Sequence, residues 1–243
     1  MPPVGPCIYC RLESGPFSRP EHVFPEALGN REIILRPGFV CDPCNHGVLS
    51  RLDQCLVEYP PVEFLRVFNV GHTKSGKQPV GNMRNVRLER AKNGSVRVRP
   101  KDRSGLPRNI EKLADGRLKL TIEMAHAEVN PRCFARALYK VGLGVVAFSL
   151  GADVVLDHRF DLARDFVLGK SGFPNALLLS MSETMGPTVT AEFSQPPDPV
   201  VFMITLMGLI CCFSLEPEPK MEKPPGVQPA SVNLIPLATH DAC

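Results

Sequence analysis

Apolar residues recur at three- and four-residue steps in two stretches of the chain, and each stretch predicts helix. In residues 46–68, Val48, Leu49, Leu52 and Leu56 share one face, Pro60-Pro61 interrupts, and Val62, Leu65, Val67 and Phe68 resume the pattern. In the second stretch Phe134, Leu138, Val141, Val145 and Phe148 follow Asn130-Pro131; a proline suits a first helical position, and Gly151 can end the helix. Arg132, Arg136 and Lys140 lie four residues apart on another face of it, a stripe expected to face solvent or phosphate. Between the two stretches the period drops to two. Val86 and Leu88, then Val96 and Val98, alternate with charged residues around Asn93-Gly94, which predicts a type I′ hairpin; a third strand is expected over Leu118 to Ile122. Further on, the pattern predicts a short helix over 162–168 and strands near 189–193, 201–206 and 210–215. The run from Val200 to Leu215 is sixteen uncharged residues, just short of the roughly 17 that span a bilayer as a helix. Its β-branched Val200, Val201, Ile204 and Thr205, with Gly208 in the middle, favour two strands buried on both faces over a membrane segment. Helix and antiparallel strand together make the fold class α+β.

Composition narrows this further. A chain of 243 residues that is 44% hydrophobic and 22% charged is globular, with one large domain or two modest ones; collagen and coiled coil are excluded. Its 25 prolines, about one residue in ten, predict short elements and broken loops. Three zones are expected: 1–68, dense in Cys, Pro and Gly before its helix; 69–216, α+β; and 217–243, an irregular tail with Pro217, Pro219, Pro224, Pro225 and Pro229. Charge is uneven. Between Arg84 and Lys119 twelve basic residues face four acidic ones, so this stretch carries +8 while the rest of a +3 chain is at −5. A basic block in an otherwise acidic chain suits phosphate binding, or a solvated hairpin face. Nine cysteines, an odd number, and an N-terminus without a basic start and apolar run argue against a secreted disulfide framework. The expectation is a cytoplasmic protein with no membrane segment, in which Cys55, Cys133, Cys211 and Cys212 are core thiols.

The chemistry concentrates near the N-terminus. Cys7-Ile8-Tyr9-Cys10 and Cys41-Asp42-Pro43-Cys44 are two CxxC pairs separated by thirty residues. Each pair turns two thiolates toward one point, and four sulfurs satisfy the tetrahedral preference of Zn²⁺ with no position left open, so the zinc would be structural. Glu21-His22 falls between the pairs, and Asn45-His46 follows the last cysteine.

This order, CxxC, then Glu-His, then CxxC-Asn, resembles the HNH endonucleases of the ββα-metal superfamily, in the branch where two Cys pairs clamp the catalytic hairpin. The resemblance covers Cys7 to about Arg66, most specifically Glu21-His22-Val23-Phe24-Pro25-Glu26-Ala27-Leu28-Gly29 and Cys41-Asp42-Pro43-Cys44-Asn45-His46; Ser50-Arg51-Leu52-Asp53 is similar to the helix of that branch. It implies a zinc-clamped ββα-metal (HNH) unit over 1–68, followed by an α+β domain with antiparallel strands and one long helix. The implied activity is metal-dependent hydrolysis of phosphodiester bonds in DNA. By position, His22 is implied as general base, Glu21 and Asn45 as ligands of one Mg²⁺ or Mn²⁺, and Asn30 as the residue that orients the base. Glu21 departs from the more familiar Asp, lengthening the reach by one methylene, and the spacing of Asn30 to Cys41 is loose; His46 is given no role.

The residue types suit that chemistry. Phosphodiester hydrolysis needs a base to deprotonate water and a cation to stabilise charge on the phosphate and the leaving oxygen. A neutral imidazole serves the first need, and an acid with an amide oxygen can hold a hard cation for the second. Arg84, Arg87, Arg97, Arg99 and Lys101 are the candidate phosphate contacts of the basic stretch. DNA is implied by the resemblance alone and RNA stays open. A homodimer, or a partner protein from a defence system or mobile element, is compatible with such a unit. The alternative function is a zinc-stabilised nucleic-acid-binding module whose HNH unit no longer cuts.

Overall fold

The computed structural model describes residues 5–71, 76–101, 110–116, 118–120, 130–172, 177–217 and 233–235. Near the N-terminus two short strands, β1 (Glu21–His22) and β2 (Ile34–Leu35), pair antiparallel, with Glu21 opposite Leu35 and His22 opposite Ile34. A helical run follows: α1 (Asp42–Cys44), a wide π-type turn over Asn45–Leu49, and α2 (Ser50–Glu58). Pro43 sits in its first turn, where a missing N–H leaves no bond unmade. The Asp42 carboxylate accepts the Ser18 backbone N–H at 3.0 Å and the Ser18 hydroxyl at 2.6 Å, which holds its carboxyl below the ordinary range. Tyr59 then takes an extended ψ of 122° ahead of Pro60, whose ring disfavours helical backbone in the residue before it, and α3 (Pro60–Asn69) starts afresh. The helix expected over 46–68 is thus found, with its break where the prolines put it.

The basic stretch forms an antiparallel sheet of β3 (Val80–Asn82), β4 (Val86–Arg90) and β5 (Val96–Pro100). Val86 and Leu88 face Val67 of α3 and Met83, a small core of their own. The β4–β5 hairpin stands as expected, but its turn differs. Ala91 and Ser95 remain bonded, Gly94 N–H returns to Ala91 O at 2.9 Å, and only Gly94 has a positive φ, 84°. That is a three-residue loop with glycine in the left-handed position, not a type I′ turn, which needs positive φ at both central residues. The strand expected from Leu118 is β7 (Leu118–Leu120); it pairs with β6 (Ile110–Lys112), and Ile122 lies outside the described residues.

Helix α4 (Pro131–Leu150) begins where the Asn130 side chain accepts the Cys133 N–H and ends at Gly151, φ 101°. Nearly every residue from Phe134 to Ala147 is buried, because the helix lies between two layers and is apolar on every face but the one that carries Arg136 and Lys140. One side meets α2 and β2; the other meets α5 (Ala152–Val155), α6 (Asp161–Val167) and the large sheet. Tyr59 stacks on Phe134 at 3.7 Å between ring centres, and Tyr139 packs on Phe213 of the sheet at 4.8 Å. By length and composition α4 could cross a membrane, yet its most apolar stretch is 72% buried within the protein, as in a core helix. Phe148, expected on the core face, is instead 50% exposed, in the last turn of the helix.

The large sheet is antiparallel, in the order β12 (Asn233–Ile235), β8 (Leu177–Met181), β11 (Leu209–Ser214), β10 (Val201–Leu206), β9 (Val189–Phe193). The uncharged run from Val200 is therefore two strands, joined at Met207 and Gly208, both with positive φ. The type I′ signature appears here, at a Met-Gly pair, and not at Asn93-Gly94. β10 is not buried on both faces: Phe202, Ile204 and Leu206 are buried while Val201, Met203 and Thr205 are half-buried. Apart from 233–235, the expectation of an irregular tail lies outside the described residues. One continuous core runs from Cys7 through Leu65 to Leu215.

Two further expectations are corrected. Cys55 and Cys133 are not free core thiols but form a disulfide, because α2 and α4 pack side by side and bring their Cα atoms to 6.0 Å. Of the stripe Arg132, Arg136 and Lys140, expected to face solvent or phosphate, Arg132 and Arg136 are half-buried and Lys140 is fully buried. Arg132 donates to Ser171 O, Arg136 to Val167 O, and Lys140 points into the N-terminal hairpin, since both flanks of α4 are covered.

Candidate functional site

The four CxxC cysteines converge. Their sulfurs all lie within 4.8 Å of one another, and Cys10 Sγ and Cys41 Sγ are 3.6 Å apart. Sulfurs at Zn²⁺ distance and tetrahedral angles stand about 3.8 Å apart, so the cluster can take a zinc ion with little adjustment. The Cys41 backbone N–H points at Cys7 Sγ at 3.5 Å, a contact that favours a thiolate. Without a cation the thiols polarise one another. A hydrogen bond from Cys44 draws Cys7 down to about 5, burial pushes Cys41 up to about 12, and bonding to the Cys7 thiolate raises Cys44 further. A divalent ion removes that conflict by letting all four ionise.

The loop from Phe24 to Ile33 is set by Asn30. Its Nδ2 donates to Phe24 O at 2.9 Å and Ile33 O at 3.1 Å, and its Oδ1 accepts from Glu32 and Ile33 N–H. One side chain thus closes the loop that returns the chain from β1 to β2. Gly29 contributes the left-handed residue, φ 91°, that ends the short turn at Glu26–Leu28. Asn30 therefore acts on the loop backbone that follows His22, and its hydrogen bonds among the described residues go to that backbone and not to the ring. The far side of this loop lines an open cleft of about 420 Å³ together with Pro187, Thr188 and Val189.

His22 is half-buried at the end of β1. Its Nε2 is 4.0 Å from Glu26 Oε2, and its Nδ1 is buried with no hydrogen-bond partner among the described residues. Asn45, at the start of the π-type turn, donates from Nδ2 to Pro20 O at 3.1 Å. That bond fastens the helix after the second CxxC pair to the residue just before Glu21, leaving the amide oxygen as the atom able to serve a cation. Asn45 is thereby tied to the backbone that leads into Glu21 and His22. The basic candidates lie elsewhere: Arg84, Arg87, Arg97, Arg99 and Lys101 are exposed on the β3–β5 sheet. In register, Arg87, Arg97, Arg99 and Glu89 share one face, where Glu89 pairs with both Arg87 and Arg99 at 3.0 Å.

Glu21 is only 5% exposed, and its Oε1 is 2.6 Å from Lys140 Nζ. The same ammonium reaches Asp53 Oδ1 at 2.9 Å and His22 O at 2.6 Å. Burial pushes the Glu21 and Asp53 carboxyls up and Lys140 opposes it. Burial also pulls Lys140 down, but the charges of Asp53 and Glu21 outweigh it and hold its ammonium above the ordinary value. Sequence reasoning missed Lys140 and Asp53 as parts of this site. Asp53 carried a signal in the Ser50-Arg51-Leu52-Asp53 stretch; Lys140, 118 residues from His22, carried none. The chain matches no protein-family profile, no curated protein sequence and no solved structure.

Proposed function

We propose that the N-terminal unit is a metal-dependent endonuclease site, of HNH type, that hydrolyses phosphodiester bonds in DNA. The observation that supports this reading is the Asn45 Nδ2 to Pro20 O bond of 3.1 Å, which ties the helix after the second CxxC pair to the residue that precedes Glu21-His22, in a segment whose four cysteines are fit for zinc. His22 is the general base: partly exposed, on a strand whose loop Asn30 holds shut, with Glu26 as the acidic group near its Nε2. Asn45 and the second oxygen of the Glu21 carboxylate are the oxygen donors for Mg²⁺ or Mn²⁺, hard ligands suited to a hard ion. Bound there, the ion would supply charge stabilisation to phosphate and leaving oxygen. The arginine face of the β4–β5 hairpin suits the DNA backbone, contributing affinity without reading bases.

One observation favours the alternative, a nucleic-acid-binding module that does not cut. Glu21 is buried and half its carboxylate is held by Lys140, so its share of the cation site is narrow. Cleavage of supercoiled plasmid with Mg²⁺ or Mn²⁺, run beside His22→Ala, separates the two. Cutting by wild type and at least a hundredfold less by a folded His22→Ala protein is the expected result. Equal cutting by both refutes His22 as base. No cutting, with DNA binding that weakens as salt rises, establishes the binding module.

A further inference from the structure

Lys140 is fully buried; its ammonium donates to His22 O at 2.6 Å, to Asp53 Oδ1 at 2.9 Å and, at the longer distance of 3.4 Å, to Val23 O, and it pairs ionically with Glu21 Oε1 at 2.6 Å. The three nearer oxygens come from two elements, β1 and α2, while Lys140 comes from α4, beyond the basic sheet. Its own carbonyl accepts the Tyr9 hydroxyl at 2.9 Å, so the helix turn that carries it is also pinned to the cysteine-bearing segment. Two neighbouring carboxylates on separate elements repel each other when buried, and a cation between them turns that repulsion into a joint. A backbone carbonyl held by an ammonium is fixed in both position and orientation, and that carbonyl belongs to His22.

We propose that Lys140 is a positioning residue of the hydrolytic site, which is complete only when α4 delivers this ammonium to the β1 strand. It sets the peptide that carries His22 and holds Glu21 and Asp53 still beneath it, without touching substrate. The inference rests on the nuclease reading above. It makes the catalytic unit a product of both halves of the chain.

Lys140→Met leaves the buried Glu21 and half-buried Asp53 carboxylates uncompensated and is expected to fold poorly. The informative variant is the full-length Lys140→Gln/Asp53→Asn protein, which keeps the site's net charge at the wild-type value and replaces ionic contacts with amide ones. It is compared with Asp53→Asn alone, so that the ratio reports the ammonium. Thermal melting and zinc content establish folding; kcat and KM for plasmid cleavage are then measured at a temperature where both proteins are folded. The expected result is a kcat at least about 30-fold below that of Asp53→Asn, with KM for DNA changed less than about threefold, because misplacing a base by a fraction of an ångström costs rate more than binding. A folded double variant whose kcat is within threefold of the single one overturns the proposal, as does one that cannot fold, which marks Lys140 as a strut for stability alone. A wild-type protein that cuts nothing overturns the nuclease reading and this inference with it.

Discussion

The Cys55–Cys133 disulfide ties α2, which carries Asp53, to the first turn of α4, which carries Lys140, and its removal has a calculable effect. The bond closes a loop of 78 residues. In the chain-entropy treatment, a loop of that length restricts the unfolded chain by about 4.5 kcal/mol at 25 °C. For a protein of this size each kcal/mol moves the melting temperature by roughly 2–4 °C, so loss of the cross-link should lower it by roughly 9–18 °C. The assay is calorimetric melting of oxidised wild type and of Cys55→Ala/Cys133→Ala. Alanine at both positions also removes two partly buried sulfurs, which adds a small packing loss of the same sign. Thiol titration of the unfolded, chelated, unreduced protein supplies the control: among the described residues six cysteines should react, and Cys55 and Cys133 should not. Nine reactive thiols, or a double variant that melts within about 2 °C of wild type, would refute the cross-link or its loop entropy respectively. In a reducing compartment this bond opens, and the joint between α2 and α4 then rests on packing and Lys140 alone.

Two other outcomes follow from the packing around the site. The purified protein should carry one zinc ion by elemental analysis; chelation should lower its melting temperature, and Cys41→Ser should lose the metal and the fold of the N-terminal segment, since a structural zinc contributes on the order of 10 kcal/mol. Soluble, zinc-loaded Cys41→Ser protein would contradict that role. Gly144→Ala tests how tightly α4 meets the hairpin: a Cβ there comes within 3.1 Å of Val23 Cγ1. Alanine gains about 1 kcal/mol of helix propensity, but Val23 is buried and its N–H is bonded to Ile33 O, so crowding of about 1–3 kcal/mol should win. A melting temperature that falls by a few degrees supports this sign, and one that rises shows that Val23 yields.

Much of the architecture was legible in the residues. The helix broken at Pro60, the helix from Pro131 to Gly151, the hairpin around Asn93-Gly94 and the two strands of the Val200 to Leu215 run all follow from local period and from residues that start or stop an element. The four-cysteine cluster was legible for a similar reason: two CxxC turns carry their own geometry, and four thiols need only one meeting point. Asn30 sits where its backbone partners are two to six residues away, whereas Asn45 bonds Pro20, 25 residues back in the chain.

What the sequence did not contain was which surface each helix face would meet. Arg132, Arg136 and Lys140 read as a solvated or phosphate-facing stripe because four-residue spacing specifies a shared face, not its environment. Only the placement of α4 between the hairpin layer and the large sheet half-buried the two arginines and brought Lys140 onto Glu21, Asp53 and His22 O. The pairing of Cys55 with Cys133 arises in the same way, from two helices lying side by side. Local backbone preferences act over a few residues and can be read one segment at a time. A buried ion cluster exists only once the whole chain has excluded water from it, so its membership is a property of the assembled core.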